Sequence, residues 1–355
     1  MTNMNSFSPG HLKKLSIPVS TSWLMGTCME AKGKQDLWAR QKPEVLTALR
    51  EQAMIQSAES SNRIEGVTVP KARLAPLVLG KTVPRDRSEE EVLGYRRALD
   101  WIHKKHAKIP LEPDTFLQLH EMAQRGSGDA GRWKARDNEI IEFSPHGERS
   151  VRFRPVSARE TAKAMQLLCL RYGEVCEHSD LPPLLAVAAF VLDFLCIHPF
   201  RDGNGRVSRL ATTLLLHQHG YSVGRYVSLE RLIEESKEEY YRTLRDSSRD
   251  WHSGKHDLIP WCNYFLSILK EAYREFGRRV ETAKPGPGKS ALARMAILRQ
   301  AVPFNLAEIQ AACPGVSSQL IKKVLSKLKS EGVLRLSGHG RSAEWHVVPR
   351  TKGAN

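Results

Sequence analysis

The stretch from His198 to Arg209, which reads HPFRDGNGRVSR, combines residue types suited to transferring a phosphate-linked group. Gly203 and Gly205 allow backbone conformations that other residues resist, so amides around Asn204 can turn toward one point. A helix that starts directly after them adds its free N–H groups and its dipole. The turn is therefore predicted to bind an anion such as a polyphosphate.

Charged side chains complete this site. Arg206 and Arg209 lie three positions apart on one face of the predicted helix, and with Arg201 they are candidates for holding phosphates. Asp202 offers a hard oxygen ligand for Mg²⁺, and His198 is a base near neutral pH. Positioning and charge stabilisation dominate such phosphoryl-type transfer. The loop is not a Walker P-loop, because GxxxxGK[ST] is absent.

The element that delivers His198 is predicted to be a buried helix, because residues 184–197 (LLAVAAFVLDFLCI) are apolar nearly all round. Pro199 then ends it. Residues 1–35 show weak periodicity and are expected to form a loosely ordered lead-in. Alternating segments at 140–143 and 151–153 predict a small β-hairpin. Other helices are predicted at about 38–66, 88–106, 157–172, 206–219, 229–244 and 259–281.

At every fixed position the turn matches HxFxDGNGRxxR, and over roughly residues 38–282 the chain resembles the Fic family. The resemblance implies a mainly α protein with a β-hairpin flap. It also implies an enzyme that uses ATP and Mg²⁺ to transfer AMP to Ser, Thr or Tyr hydroxyls of a target protein and of itself. The roles implied by position are base for His198, Mg²⁺ ligand for Asp202, anion hole for Gly203, Asn204 and Gly205, and phosphate binding for Arg206 and Arg209.

A second match lies upstream, where Ser61-Asn-Arg-Ile-Glu65-Gly66 resembles the inhibitory helix of the family, [S/T]xxxE[G/N]. Ser61 and Glu65 are four residues apart and share a helix face. By resemblance, Glu65 pairs with Arg209, which would otherwise hold the γ-phosphate of ATP. The other interpretation is a solvated helix end capped by Gly66.

The hairpin at 138–154 corresponds by position to the flap of the family, whose edge would dock a target segment. Lys134 stands where the family usually has Arg. Arg149, Arg152 and Arg154 make this flap basic, so an acidic target segment is one possibility.

Two tyrosines are the candidates for contact with adenine, since related proteins use a similar pair beside the base. Tyr240 and Tyr241 point about 100° apart on a helix, so one is expected to line the pocket while the other packs.

The net charge of +15 favours contact with polyanions, and the last part of the chain is its most basic region. Residues 291–350 are predicted as helix, helix, helix and hairpin, the order of a winged helix-turn-helix. Lys322, Lys323, Lys327 and Lys329 in the third helix, with Arg341 in the wing, suit DNA phosphates. The alternative use of this domain is protein binding, including a homodimer.

The predicted organisation is an N-terminal helical region with the inhibitory helix (1–87), a Fic core (88–225), a helical extension (226–282), a linker (283–290) and the winged helix. Six cysteines without a CxxC pair favour the cytoplasm, and no apolar stretch predicts a membrane span.

Two alternative functions stand beside AMP transfer. One is another nucleotide transfer, or removal of AMP with Glu65 orienting water, at the same site. The other is a DNA-binding regulator whose enzyme fold is incidental or senses nucleotide.

Overall fold

The computed structural model describes residues 6–41, 43–143, 149–282, 289–298, 300, 303–338 and 344–348. Contacts divide the chain into two compact units, Met1–Thr282 and Ala283–Asn355. Most of the predicted linker, the hairpin turn at 144–148 and the wing residue Arg341 lie outside the described residues. Within the described part of the chain, no helix is long and apolar enough to cross a membrane.

The first unit is built from α-helices. In chain order they are α1 Pro9–Leu12, α2 Val19–Gln41, α3 Pro43–Ile64, α4 Lys71–Val78, α5 Arg87–Lys105, α6 Pro113–Ala123, α7 Ala158–His178, α8 Pro183–Ile197, α9 Asn204–Gln218, α10 Leu229–Glu235, α11 Lys237–Ser248 and α12 Ile259–Thr282. Thus the single helix expected at 229–244 is two helices that meet at Ser236.

Helix α8 lies at the centre of this unit, as its composition predicts. Nearly all its residues are buried, and α7, α9, α11 and α12 pack around it. Its one charged residue, Asp193, accepts hydrogen bonds from Ser6 and from Trp251 Nε1. Burial raises the pKa of this carboxyl to about 6, although those bonds act in the opposite direction.

The predicted loose lead-in at 1–35 is wrong, because α2 is a long helix that packs along α12. Among the residues of α2 whose burial is described, the buried ones are Thr21, Cys28 and Gln35, one every seven residues. Thr21 Oγ1 donates to Asn263 Oδ1 at 2.7 Å. Small and polar residues on the buried face leave little apolar periodicity for a sequence pattern to detect.

The flap is an antiparallel hairpin of β1 Ile140–Phe143 and β2 Arg149–Phe153. Ile141 pairs with Val151 and Ile140 pairs with Phe153, so Arg152 is an extra residue at a β-bulge. The sequence predicted the hairpin but gave no sign of the bulge.

The second unit contains α13 Lys289–Leu298, α14 Leu306–Ala312, α15 Ser318–Ser330, and the paired strands β3 Leu334–Ser337 and β4 Glu344–Val347. Ile297, Ile309, Ile321 and Leu328 belong to its separate apolar core. Asn305 and Glu308 form a capping box at the start of α14. The helices and strands follow the predicted order.

Candidate functional site

His198 directly follows the central helix and adopts a left-handed conformation, with φ of 50°. Its Nδ1 lies 3.2 Å from the carbonyl oxygen of Leu195, which can only accept, so Nδ1 carries the hydrogen and Nε2 is left as an acceptor. Burial lowers the pKa of His198 to about 4, despite the bond to Leu195. The imidazole is therefore neutral at neutral pH and able to accept a proton.

The turn after His198 is closed by Asn204, whose side chain accepts from Phe200 N at 2.9 Å and donates to Phe200 O at 2.8 Å. Gly203 has a φ of 78°, and a Cβ there would meet Gln124 Nε2 at 2.5 Å. Helix α9 begins at Asn204 and its N-cap Gly203 provides no side-chain cap, so the first N–H groups of the helix have no intrahelical partner. This is the backbone arrangement that the motif predicts for an anion site.

Asp202 is the accessible carboxylate of the turn, with its side chain 64% exposed. Its Oδ1 accepts from Gly203 N at 2.6 Å, and its Oδ2 lies 3.1 Å from Gln124 Nε2 and 3.6 Å from Arg206 Nη2. The described residues contain no cluster of three or more candidate metal ligands. One carboxylate with phosphate oxygens is, however, a common way to hold Mg²⁺, so the residues fit a magnesium–nucleotide complex.

A layer of residues outside the motif supports the turn. The ring of Phe200 stacks on His120, at 3.8 Å between centroids, and on Trp133, at 5.1 Å. His120 Nδ1 accepts from Gly131 N at 3.0 Å, so its Nε2 carries the hydrogen and donates to Asp202 O at 3.1 Å. Burial lowers the pKa of His120, which favours this neutral form.

Lys134 supports the backbone on both sides of His198. Its Nζ donates to Ile197 O at 3.0 Å and to Asn138 Oδ1 at 2.9 Å, and its backbone N–H donates to Pro199 O at 2.9 Å. Burial lowers the pKa of Lys134 to about 8. In the sequence, Lys134 stands out only as a departure from the family pattern. Nothing in the sequence indicates that His120, Gln124 or Asn138 contacts the turn.

Arg209 is buried and bound to the end of α3. Its Nε donates to Ser61 Oγ, and its Nη2 donates to Ser61 O and to Glu65 Oε1, each at 2.8 Å. Burial lowers its pKa, but Glu65, Tyr240 and Tyr95 outweigh that effect and raise it overall. Its Nη1 has no hydrogen-bond partner among the described residues. The structure thus brings Ser61, Glu65 and Arg209 together, and Gly66 follows α3 with a φ of 83°.

Arg206 is placed differently from Arg209. Its side chain is only 2% exposed, and its Nη1 donates to Glu91 and, at 3.3 Å, to Asn62 Oδ1. Neither Arg206 nor Arg209, whose side chain is 3% exposed, lines the cavity in front of the turn. In this conformation Arg206 faces the protein interior, whereas the sequence assigned it to phosphate binding.

The turn opens into a cavity of about 650 Å³, which is in the range of small-molecule sites. Its wall includes Glu65, His198, the turn from Arg201 to Gly205, the flap and helix α11. Both Tyr240 and Tyr241 border it, and Tyr240 is also buried and packs against Trp261 and Tyr264, so the two tyrosines do not divide cleanly into one that lines the pocket and one that packs. Their rings lie 5.1 Å apart in an edge-to-face arrangement, which lets both reach the same wall.

Gly205 lies where the end of α3 meets the turn. A Cβ at this position would lie 2.1 Å from Glu65 Oε1 and 3.1 Å from Arg209 Nη1. Since real Cβ atoms do not approach so closely, only glycine lets Glu65 lie against the start of α9.

Comparisons with known proteins agree with this geometry. Residues 110–216 match the model of the Fic/DOC family. A Fido domain-containing protein of Dictyostelium discoideum is 37% identical over 97 residues, which are 27% of this chain and 63% of that relative.

Solved structures of similar fold cover more of the chain. A Fic family protein from Desulfovibrio desulfuricans G20 has a TM-score of 0.65 at 20% identity, over 96% of this chain and 99% of that one. A Fic domain-containing signaling protein from Bacteroides thetaiotaomicron has a TM-score of 0.62 at 21% identity, over 73% of this chain and 98% of that one. Fic-1 from C. elegans has a TM-score of 0.58 at 18% identity, over 75% of this chain and 76% of that one. Residues 110–216 of the chain are therefore similar to the Fic/DOC family, and the fold is similar to that of solved Fic proteins.

Proposed function

We propose that this protein transfers AMP from ATP to a Ser, Thr or Tyr hydroxyl of a target protein, and to itself. Fic domain proteins generally transfer nucleotides or other modifying groups onto proteins. The observation that carries the proposal is that His198 and the anion-binding turn face one cavity large enough for a nucleotide.

In the proposed reaction, His198 Nε2 takes the proton of the acceptor hydroxyl. The hydroxyl oxygen forms a bond to the α-phosphorus of ATP, the bond from that phosphorus to the bridging oxygen breaks, and pyrophosphate leaves. The N–H groups at the start of α9, beside Gly205, stabilise charge on the α-phosphate. Asp202 would hold Mg²⁺, which when bound supplies positive charge to the phosphates.

We further propose that Glu65 inhibits the reaction from within the chain. Glu65 Oε1 and both Ser61 oxygens occupy donors of Arg209. A γ-phosphate could bind Arg209 only if Glu65 withdrew. ATP would therefore bind in a non-productive pose while α3 stays in place.

The test is labelling with α-³²P-ATP and Mg²⁺. We expect weak self-labelling of the wild type and at least about tenfold more in Glu65→Gly, since losing one charged hydrogen bond changes an equilibrium by about 1.5–3 kcal/mol. His198→Ala in the same background should abolish the label. A Glu65→Gly protein that takes label from no nucleotide, with or without a target, would refute the proposal.

The exposed face of α15 favours DNA binding as a second function. Ile321, Val324, Leu325 and Leu328 are buried on one side. Lys322, Lys323, Lys327 and Lys329 are exposed and spread over the helix surface that the buried residues leave free. Cations on this surface suit the phosphates of a duplex.

A gel shift with the full chain tests this second function. We expect retardation of duplex DNA that weakens as salt rises, and a shallower salt dependence for Lys322→Gln/Lys323→Gln because about two phosphate contacts are lost. Lys104→Gln, which changes an exposed lysine of α5, is the control and should leave the shift unchanged. Equal retardation by all three proteins would exclude α15 as the DNA-binding face.

A further inference from the structure

The flap carries an arginine whose direction is set by an irregularity of the hairpin. Arg152 is the unpaired residue of the β-bulge. Bulges commonly redirect a side chain beside an active site. Arg152 lines the catalytic cavity and also a second groove, of about 490 Å³, between β2 and residues 248–253. It therefore lies between the reacting centre and the outer surface of the flap.

Within the described residues, the guanidinium of Arg152 lacks hydrogen-bond acceptors. Its Nε has no hydrogen-bond partner among the described residues. Burial lowers its pKa, and Glu142 only partly offsets that effect. Glu142 forms its ion pair with Arg245 instead, at 2.6 Å. Since a partly buried charge is unfavourable without a partner, a carboxylate brought by a ligand would gain a strong hydrogen bond here.

The adjoining groove has the shape and charge to hold an extended chain. Among the described residues β2 pairs only with β1, but Arg154 O, just beyond the strand, accepts from His252 Nε2 at 2.7 Å and Phe153 stacks on His252. Another strand could therefore pair only along the part of β2 before Phe153. Arg154 and Arg249 line this groove with one acidic residue, Asp250. The excess of positive charge favours an acidic segment.

We propose that the protein segment accepting the nucleotide is acidic, lies extended along β2, and places a carboxylate next to the acceptor hydroxyl on Arg152. This inference rests on the proposed function, because it names the class of acceptor for the same site. Arg154 and Arg249 attract the segment, whereas Arg152 selects a carboxylate on the residue beside the hydroxyl.

The test measures binding, which requires no transfer. Three sets of short fluorescein-labelled peptides share a central Ser, Thr or Tyr, flanked by Asp/Glu, by Asn/Gln or by Lys/Arg. Fluorescence anisotropy with the full chain should show the acidic set binding about tenfold more tightly than the amide set. Arg152→Gln should reduce this preference to about twofold or less. Arg149→Gln, on the same strand but outside both linings, should retain it.

Equal binding of the acidic and amide sets, or absence of binding, would overturn the inference. The inference would also be overturned if the Arg152→Gln protein kept the preference for acidic peptides, whether or not it lost affinity for ATP. An acidic preference without any labelling in Glu65→Gly would support the docking surface and contradict the proposed AMP transfer.

Discussion

At the scale of single residues, the reactive histidine is held by neighbours that the motif does not contain. A left-handed conformation costs a residue with a side chain about 1–2 kcal/mol, and His198 adopts one. Lys134 binds the carbonyls on both sides of it. The motif predicts which groups react, because their types and spacing are local. Its supports come from distant parts of the chain, so no local pattern identifies them.

Lys134 also acts on His198 through its charge, which lowers the pKa of the imidazole. In a Glu65→Gly background, Lys134→Met should therefore raise that pKa and move the acid limb of the pH–kcat profile of self-labelling to higher pH. The rate at neutral pH should fall about tenfold because the support of the turn is lost.

Lys134→Arg keeps the charge. Compared with Lys134→Met, it should restore the position of the acid limb and most of the rate at neutral pH. Thermal unfolding of each variant controls for damage to the fold. An unchanged acid limb in Lys134→Met would contradict the electrostatic role.

At the scale of elements, the contact between Glu65 and Arg209, which we propose to be inhibitory, depends on the contacts that hold the end of α3 to its neighbours. Arg63 forms two hydrogen bonds to Glu234 of α10, one of them from Nη2 to Oε2 at 2.8 Å. Lys237 Nζ donates to Ile64 O at 3.0 Å. These contacts lie beyond the cavity, so they can be weakened without changing a residue that meets the nucleotide.

Glu234→Gln should loosen the end of α3 and raise self-labelling about two- to fivefold, because a half-exposed ion pair contributes up to about 1 kcal/mol. The increase should be smaller than that of Glu65→Gly. Glu235→Gln changes the next residue, which pairs with Arg231 within α10, and should have no effect. Equal labelling by both variants would show that the Arg63–Glu234 contact does not control the inhibitory helix.

At the scale of the whole molecule, the order of helices and the two hairpins follow from apolar periodicity and from turn residues. Two further features could not be predicted from the sequence and are seen only in the structure. Helix α2 escaped detection because Thr21, Cys28 and Gln35 form its buried face. Arg206 looked equivalent to Arg209 by spacing, and only packing shows that Glu91 and Asn62 hold it inward.

The close approach of Gly205 to Glu65 constrains how this protein could change over evolutionary time. Any larger residue at position 205 would meet Glu65 Oε1 and Arg209 Nη1 and would push Glu65 away. Under the inhibition proposed above, this glycine allows the restraint as well as the turn, so a change at position 205 would alter both together.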